Sequence, residues 1–204
     1  MICCLSITPP IRVYRYLATS LVWLLLVLTL PSALFAAEQP VFEIKEASFK
    51  LDDRLLMLDS EFAINLPAYI NSAVDQGFAV PLMFQVEILV LKKYWLDEKV
   101  ISLKQQYQLH FLPMLNTYVV FDVNADQRLY FNSRPEAVQY LRTISNYPML
   151  DINNLVPGPD YYARLRIGID TDELPLPLKS SSLWDNDWNL KSDWYEWQIN
   201  RPES

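Results

Sequence analysis

Tyr162, Arg164 and Arg166 recur at every second position, a spacing that in a β-strand sends all three side chains to one face. Guanidinium forks grip carboxylates and other anions bidentately, and a neighbouring ring can stack on them. The stripe is therefore a candidate anion-recognising patch, and it stands out in a chain with 24 acidic against 17 basic side chains. Just beyond it, Asp170-Thr171-Asp172-Glu173 gathers three carboxylates. They could hold a Ca²⁺ or act as an acid/base pair, and glycoside hydrolysis needs only two carboxyls at a suitable separation. The EF-hand spacing and its glycine are missing, so ion pairing of Asp170 with Arg164 and Arg166 is the plainer expectation. His110 is the one histidine and falls beside Gln106 and Gln108 on a polar strand face. With no second His or Cys near it to complete a metal site, it reads as a surface residue.

Trp184, Trp188, Trp194 and Trp197 are four of the six tryptophans and lie within fourteen residues, with Tyr195 among them. Spacings of four and three would pair Trp184 with Trp188 and Trp194 with Trp197 on short helical turns. Two roles compete for them: a recognition platform for sugar or peptide, and a clamp whose indoles fold back onto the domain. Interleaved acids, Asp185, Asp187, Asp193 and Glu196, argue against an anionic lipid surface. Pro175 and Pro177 around Leu176 predict a stiff, extended arm leading to this tail.

Several chemistries are excluded by composition. A formal charge of −7 argues against nucleic acid as a partner, since counterion displacement needs a basic surface. Three glycines supply no G-x-G-x-x-G or G-x-x-x-x-G-K-[ST] loop, so no nucleotide cofactor is expected. No G-x-S-x-G elbow occurs, and neither a catalytic residue nor a metal ligand is assigned.

The elements that must position these residues show mostly a period of two. Alternation runs over Phe78–Lys92, Ile101–Phe111 and Tyr161–Ile169, with shorter β-rich stretches at Val41–Leu51, Arg54–Leu58, Glu61–Leu66, Thr117–Val123 and Arg128–Phe131. Half-buried strands with one wet face predict antiparallel sheets. The expected fold is mainly β, an antiparallel, immunoglobulin-like β-sandwich with two short α-helices and an extended Trp-rich C-terminal arm. One helix is predicted near 67–76, opened by Pro67 and closed by Gly77. The other is predicted over 133–145, where Ser133-Arg134-Pro135-Glu136 forms a capping box and Ile144 ends the apolar stripe. Asn146–Asp160, with three prolines, reads as a loop. The resulting division is residues 1–37 as a targeting segment, 38–178 as the β-domain and 179–204 as the arm packing on it.

Residues 1–37 combine Arg12 and Arg15, the apolar run Leu21–Leu30, Pro31, and small residues at Ala33, Ala36 and Ala37. That is the pattern of a signal peptide, cleaved after Ala36 or Ala37. Its rival is an uncleaved anchor, because the 21 residues from Leu17 to Ala37 carry no charge, enough to span a bilayer. Either reading sends the remainder out of the cytoplasm, and membrane contact is expected only through residues 17–37. Cys3 and Cys4 precede the apolar run, so the exported part has no cysteine; it also sheds two arginines and no acid, which moves its charge to about −9.

The order of motifs then becomes informative. Gly77-Phe78-Ala79-Val80-Pro81-Leu82-Met83-Phe84 follows an Ala-containing helix, and Lys93-Tyr94-Trp95, Tyr107-Gln108-Leu109 and Glu136-Ala137 come next. Tyr162-Ala163-Arg164-Leu165-Arg166, Leu174-Pro175-Leu176-Pro177-Leu178 and Asp187-Trp188-Asn189-Leu190-Lys191-Ser192-Asp193-Trp194 complete the set. Over roughly residues 45–198 the chain resembles the proteobacterial exported family called domain of unknown function 4390, with Phe78-Ala79-Val80 a mild departure from the Gly-Val expected there. The resemblance implies a small exported protein of a Gram-negative bacterium and no particular activity. The expectation is a periplasmic envelope protein that binds another envelope protein or a cell-wall component without catalysis. The candidate binding residues are Tyr162, Arg164, Arg166, Trp184, Trp188, Trp194 and Trp197. The alternatives are a carboxylate-based hydrolase of an envelope glycan and a membrane-anchored accessory to a signalling or assembly system.

Overall fold

Alternating apolar and polar side chains give this chain strands that are dry on one side and wet on the other, and two antiparallel sheets bury the dry sides against each other. The computed structural model describes residues 40–92, 98–156, 158–178 and 188–199, all within one compact unit, Gln39–Ser204. The elements in chain order are β1 (Phe42–Asp52), β2 (Leu55–Ile64), α1 (Ala68–Asp75), β3 (Val80–Val90), β4 (Glu98–Leu112), β5 (Thr117–Asp122), β6 (Gln127–Phe131), α2 (Arg134–Leu141), β7 (Thr143–Asp151), β8 (Tyr161–Ile169) and β9 (Tyr195–Gln198). The smaller sheet has the order β1-β2-β7, and the larger β6-β5-β4-β3-β8-β9. Leu58, Phe62 and Ile64 of the first meet Phe84, Val86, Leu109 and Leu165 of the second in one core. Among the described residues no helix is long and apolar enough to cross a membrane.

Both helices start where the sequence places them. Pro67 supplies a φ of −58° ahead of α1, which buries Ile70, Ala73 and Val74. Gly77, at φ +87°, ends it as a Schellman motif: its N–H donates to the Val74 carbonyl and that of Phe78 to Ala73. Ser133 Oγ accepts from the Glu136 N–H and caps α2, and the Glu136 carboxylate reaches back to the Asn132 N–H. That helix stops at Leu141 rather than 145.

The next residues correct the expected loop. Thr143–Asp151 is a strand, paired antiparallel with β2, and Ile144 belongs to its buried side rather than to the helical stripe. Pro148 hid it: a proline argues against a central strand, but β7 is at the margin of the small sheet, with β2 its one strand neighbour among the described residues. Two more readings change. Arg54–Leu58 and Glu61–Leu66 merge into the single strand β2, and Ser60, polar between them, is tied down by its hydroxyl donating to the Glu46 carbonyl. Around Leu176 the chain turns instead of extending, with the Leu178 N–H bonded back to the Pro175 carbonyl.

The segment 188–199 runs along the outer edge of β8. The Ile169 N–H donates to the Leu190 carbonyl at 2.9 Å, the Ser192 N–H to the Ile167 carbonyl at 2.8 Å, and β9 then pairs Leu165–Tyr162 with Tyr195–Gln198. Gly168 permits this approach, because a Cβ there would stand 2.6 Å from the Leu190 carbonyl oxygen. Gly168→Ala is expected to cost about 1–3 kcal/mol through overpacking. The same variant should lose hydrogen-exchange protection at the Ile169 and Ser192 amides, and unchanged protection would show that the segment docks without this contact.

Candidate functional site

Sheet register brings the predicted arginines to a polar strip across the outward face of the larger sheet. In β3, Gln85 and Glu87 project opposite to the core-facing Phe84, Val86 and Ile88; Arg166 is the cross-strand partner of Gln85, and Arg164 of Glu87. On the other flank β4 sets Lys104 beside Gln85 and Ser102 beside Glu87. Glu87 is only 1% exposed. Its Oε2 accepts from Arg164 Nε at 2.8 Å and lies 2.6 Å from Nη2, while Oε1 accepts from Lys99 Nζ at 2.5 Å and Gln85 Nε2 at 2.8 Å. Burial works to raise the pKa of this carboxyl, but the hydrogen bonds and charges of Lys99 and Arg164 outweigh it and hold the value below the ordinary 4.5.

Arg166 is held differently. Its Nε and Nη2 donate to the amide oxygen of Gln85 at 3.1 and 2.7 Å, and among the described residues no carboxylate lies within salt-bridge distance of it. Trp194 covers both arginines: the Arg164 and Arg166 Cζ atoms are 4.4 and 4.5 Å from its ring centroid. Two guanidinium planes on one indole is the geometry of paired cation–π contacts. Tyr162 occupies the same face one step along, opposite Leu89 and Gln198, but the ring the arginines share is Trp194.

The expected pairing of Asp170 with these arginines does not occur. Asp170, 3% exposed, is bound by Lys104 Nζ at 2.5 Å and by Gln106 Nε2 at 2.6 Å, both from β4. As at Glu87, burial would raise its pKa, and its hydrogen bonds hold it below the ordinary value instead. The reason is topological: Asp170 follows the end of β8, where the nearest cation lies on the strand two places across. Asp172 and Glu173 are exposed in the turn beyond.

The tryptophans also separate. Trp188 is 5% exposed and packs edge-on against Tyr69 of α1, with centroids 5.6 Å apart. Trp194 and Trp197 do not share a helical face: Trp197 lies in a strand, where an odd spacing reverses the direction of the side chain. Trp197 and Tyr195 therefore turn inward, Trp197 meeting Phe49 at 5.1 Å, while Trp194 stays outside with the arginines. Trp184 and Lys93-Tyr94-Trp95 lie outside the described residues, as does the N-terminal segment 1–39. His110 is half-buried rather than on the open surface; its Nδ1 is buried without a partner, and desolvation together with the Arg128 charge lowers its pKa. Among the described residues no group of three His, Cys, Asp or Glu side chains could hold a metal ion.

Sequence reading missed Glu87, Gln85 and Lys99 as partners of the arginine stripe. The signal was present in β3, where two polar residues at i and i+2 interrupt an otherwise apolar run, but linking them to Arg164 and Arg166 required the register.

The domain-of-unknown-function model DUF4390 matches residues 39–198, the whole of both sheets. The chain belongs to the DUF4390 family. No curated protein and no solved structure matches it. In this DUF4390 chain the family match ends at Gln198, the last residue of β9, so the strand that closes the β8 edge lies inside the family domain.

Proposed function

We propose that this DUF4390 protein is an exported envelope protein, a non-catalytic binding module built on an immunoglobulin-like sandwich, whose recognition surface is the Arg164–Arg166–Trp194 strip. Strand order supports the fold reading: β1-β2-β7 follows the A-B-E order of variable-type immunoglobulin sheets and β9-β8-β3-β4-β5 the G-F-C-C′-C″ order, with β6 added as a sixth strand beyond the C″ position. The basic, apolar and small-residue regions of residues 1–37 support export to the periplasm of a Gram-negative bacterium.

One observation carries the binding reading. Arg166 is fixed by a neutral amide and an indole while its neighbour Arg164 is paired with Glu87, so one oriented guanidinium keeps its full charge for an incoming group. The partner it suits is a carboxylate on an envelope protein or on a cell-wall component, received bidentately beside an aromatic edge. A Trp-bearing C-terminal segment supports this by supplying the indole.

Arg166→Gln tests the reading, since glutamine removes the charge with little disturbance of a surface position. Captured from envelope extract, partners retained by the wild type should be lost by the variant, whose melting temperature should fall by only a few degrees for the lost Gln85 and Trp194 contacts. Equal capture by both would overturn it. N-terminal sequencing of the protein from periplasmic and membrane fractions separates a cleaved export signal from an anchored accessory; a cytoplasmic chain with Met1 intact would overturn export.

A further inference from the structure

The two sheets do not close on each other everywhere. Between β2 and β7 on one side and β3 and β4 on the other lies a cavity of about 210 Å³, capped by the end of α2. For scale, a 150 Å³ apolar cavity accepts benzene, so this space suits a single-ring molecule with a small substituent. Its wall is unusually aromatic: Phe84 and Tyr147 meet edge to face at 5.6 Å, Tyr107 lies 6.2 Å from Phe84, and Tyr140, Thr143 and Ser145 add hydroxyls.

Behind the aromatic wall is a polar pair that faces inward. Gln105, 2% exposed, accepts a hydrogen bond from the Tyr147 hydroxyl at 3.0 Å and donates one to Asp122 Oδ1 at 2.6 Å. Asp122 is the direct cross-strand partner of Tyr107, so its carboxylate is on the core-facing side of β5. Oδ1 also accepts from the Ala125 N–H of the following turn, and among the described residues no cation lies within salt-bridge distance of Asp122. Its charge reaches the hydroxyls of Tyr107, Tyr140 and Tyr147, adding to burial in raising all three pKa values. A half-buried carboxylate with no cation at salt-bridge distance among the described residues, set behind a cavity walled by Phe84, Tyr107 and Tyr147, is an environment that favours one kind of guest.

We infer that the cavity between the sheets is a binding site for a small organic cation, an ammonium or methylated ammonium on a group about the size of one ring, with the rings of Phe84, Tyr107 and Tyr147 around the cation and Asp122 supplying the charge. Neutral molecules of equal shape would gain the apolar contacts but not the electrostatic ones, and carboxylates would meet repulsion from Asp122. This inference is independent of the outward strip, which it neither uses nor needs.

The experiment compares three probes of matched size on the full-length chain: benzylammonium, benzyl alcohol and benzoate. Calorimetry should give benzylammonium an affinity about tenfold or more above that of benzyl alcohol, with no detectable benzoate binding. The ring signals of Tyr107 and Tyr147 should shift in NMR spectra on adding it. Asp122→Asn keeps the turn's acceptor oxygen while removing the charge, so it should fold normally and erase the preference for the cation. Ile144→Phe, which fills the cavity from β7, should abolish binding of both the amine and the alcohol. Absence of benzylammonium binding to the wild type, equal affinity for the alcohol, or an undiminished preference in Asp122→Asn would each overturn the assignment.

Discussion

Trp188→Ala is expected to lower folding stability by about 3–5 kcal/mol, the range for removing a fully buried aromatic ring. For a domain of this size that corresponds to a fall in melting temperature of about 6–20 °C. The indole is 5% exposed and rests edge-on against Tyr69, so its loss opens a void that α1 and the larger sheet cannot readily refill. Trp194→Ala is the internal contrast. That ring is half-buried and contributes mainly cation–π contacts to Arg164 and Arg166, each worth about 0.5–1 kcal/mol at such a site. Chemical denaturation of both variants should separate them clearly. Similar losses would mean that the two tryptophans are not divided between core and surface as their burial indicates.

Glu87→Ala is the second large effect, at about 3 kcal/mol. Its buried side chain holds Arg164 and Lys99, whose own side chains keep some contact with water. Removing the acid leaves two cations facing each other across β3 with nothing between them. Because Arg164 can turn partly toward solvent, the cost belongs at the lower end of the range for broken buried pairs. A double variant with Arg164→Ala should cost less than the sum of the single changes, the signature of a direct coupling. Additive losses would remove the ion pair as the cause.

The same carboxylates set an acid limit. Glu87 and Asp170 titrate below their ordinary values of 4.5 and 3.8 in the folded chain, so between folded and ordinary pKa the unfolded state binds more protons. Stability from these groups is complete above the ordinary values and is lost as pH falls through the folded ones. In denaturation midpoints, the contribution of these two carboxylates should therefore be flat from neutrality to about pH 5 and drop below it. His110, held below its ordinary 6.5, adds an earlier loss as pH falls below that value. Glu87→Gln should flatten part of the lower drop.

Most strands were legible because alternation is a local property. Tyr161–Ile169 is the clearest example, its bounds in β8 matching the sequence pattern, and the caps at Ser133 and Gly77 are equally local signals. What escaped was decided by neighbours. Pro148 is tolerated only because β7 has an open side, Asp170 finds Lys104 because β3 intervenes, and Trp194 separates from Trp197 because β8 draws the segment into a strand. Gln105 and Asp122, polar residues on an inward face, break the alternation that made the other strands readable. Their pairing depends on β4 and β5 lying side by side.

The order of strands also has a consequence for how the protein is made. β3, at the centre of the larger sheet, gains its β4 neighbour early in synthesis, but β8 is made some seventy residues after it, and the edge of β8 is covered only when residues 190–198 have emerged. During that interval the nascent chain presents a bare row of amide and carbonyl groups flanked by apolar side chains, a template on which another copy could add a strand. A chain held unfolded until it is complete avoids this exposure, whereas one folding as it is synthesised passes through it each time.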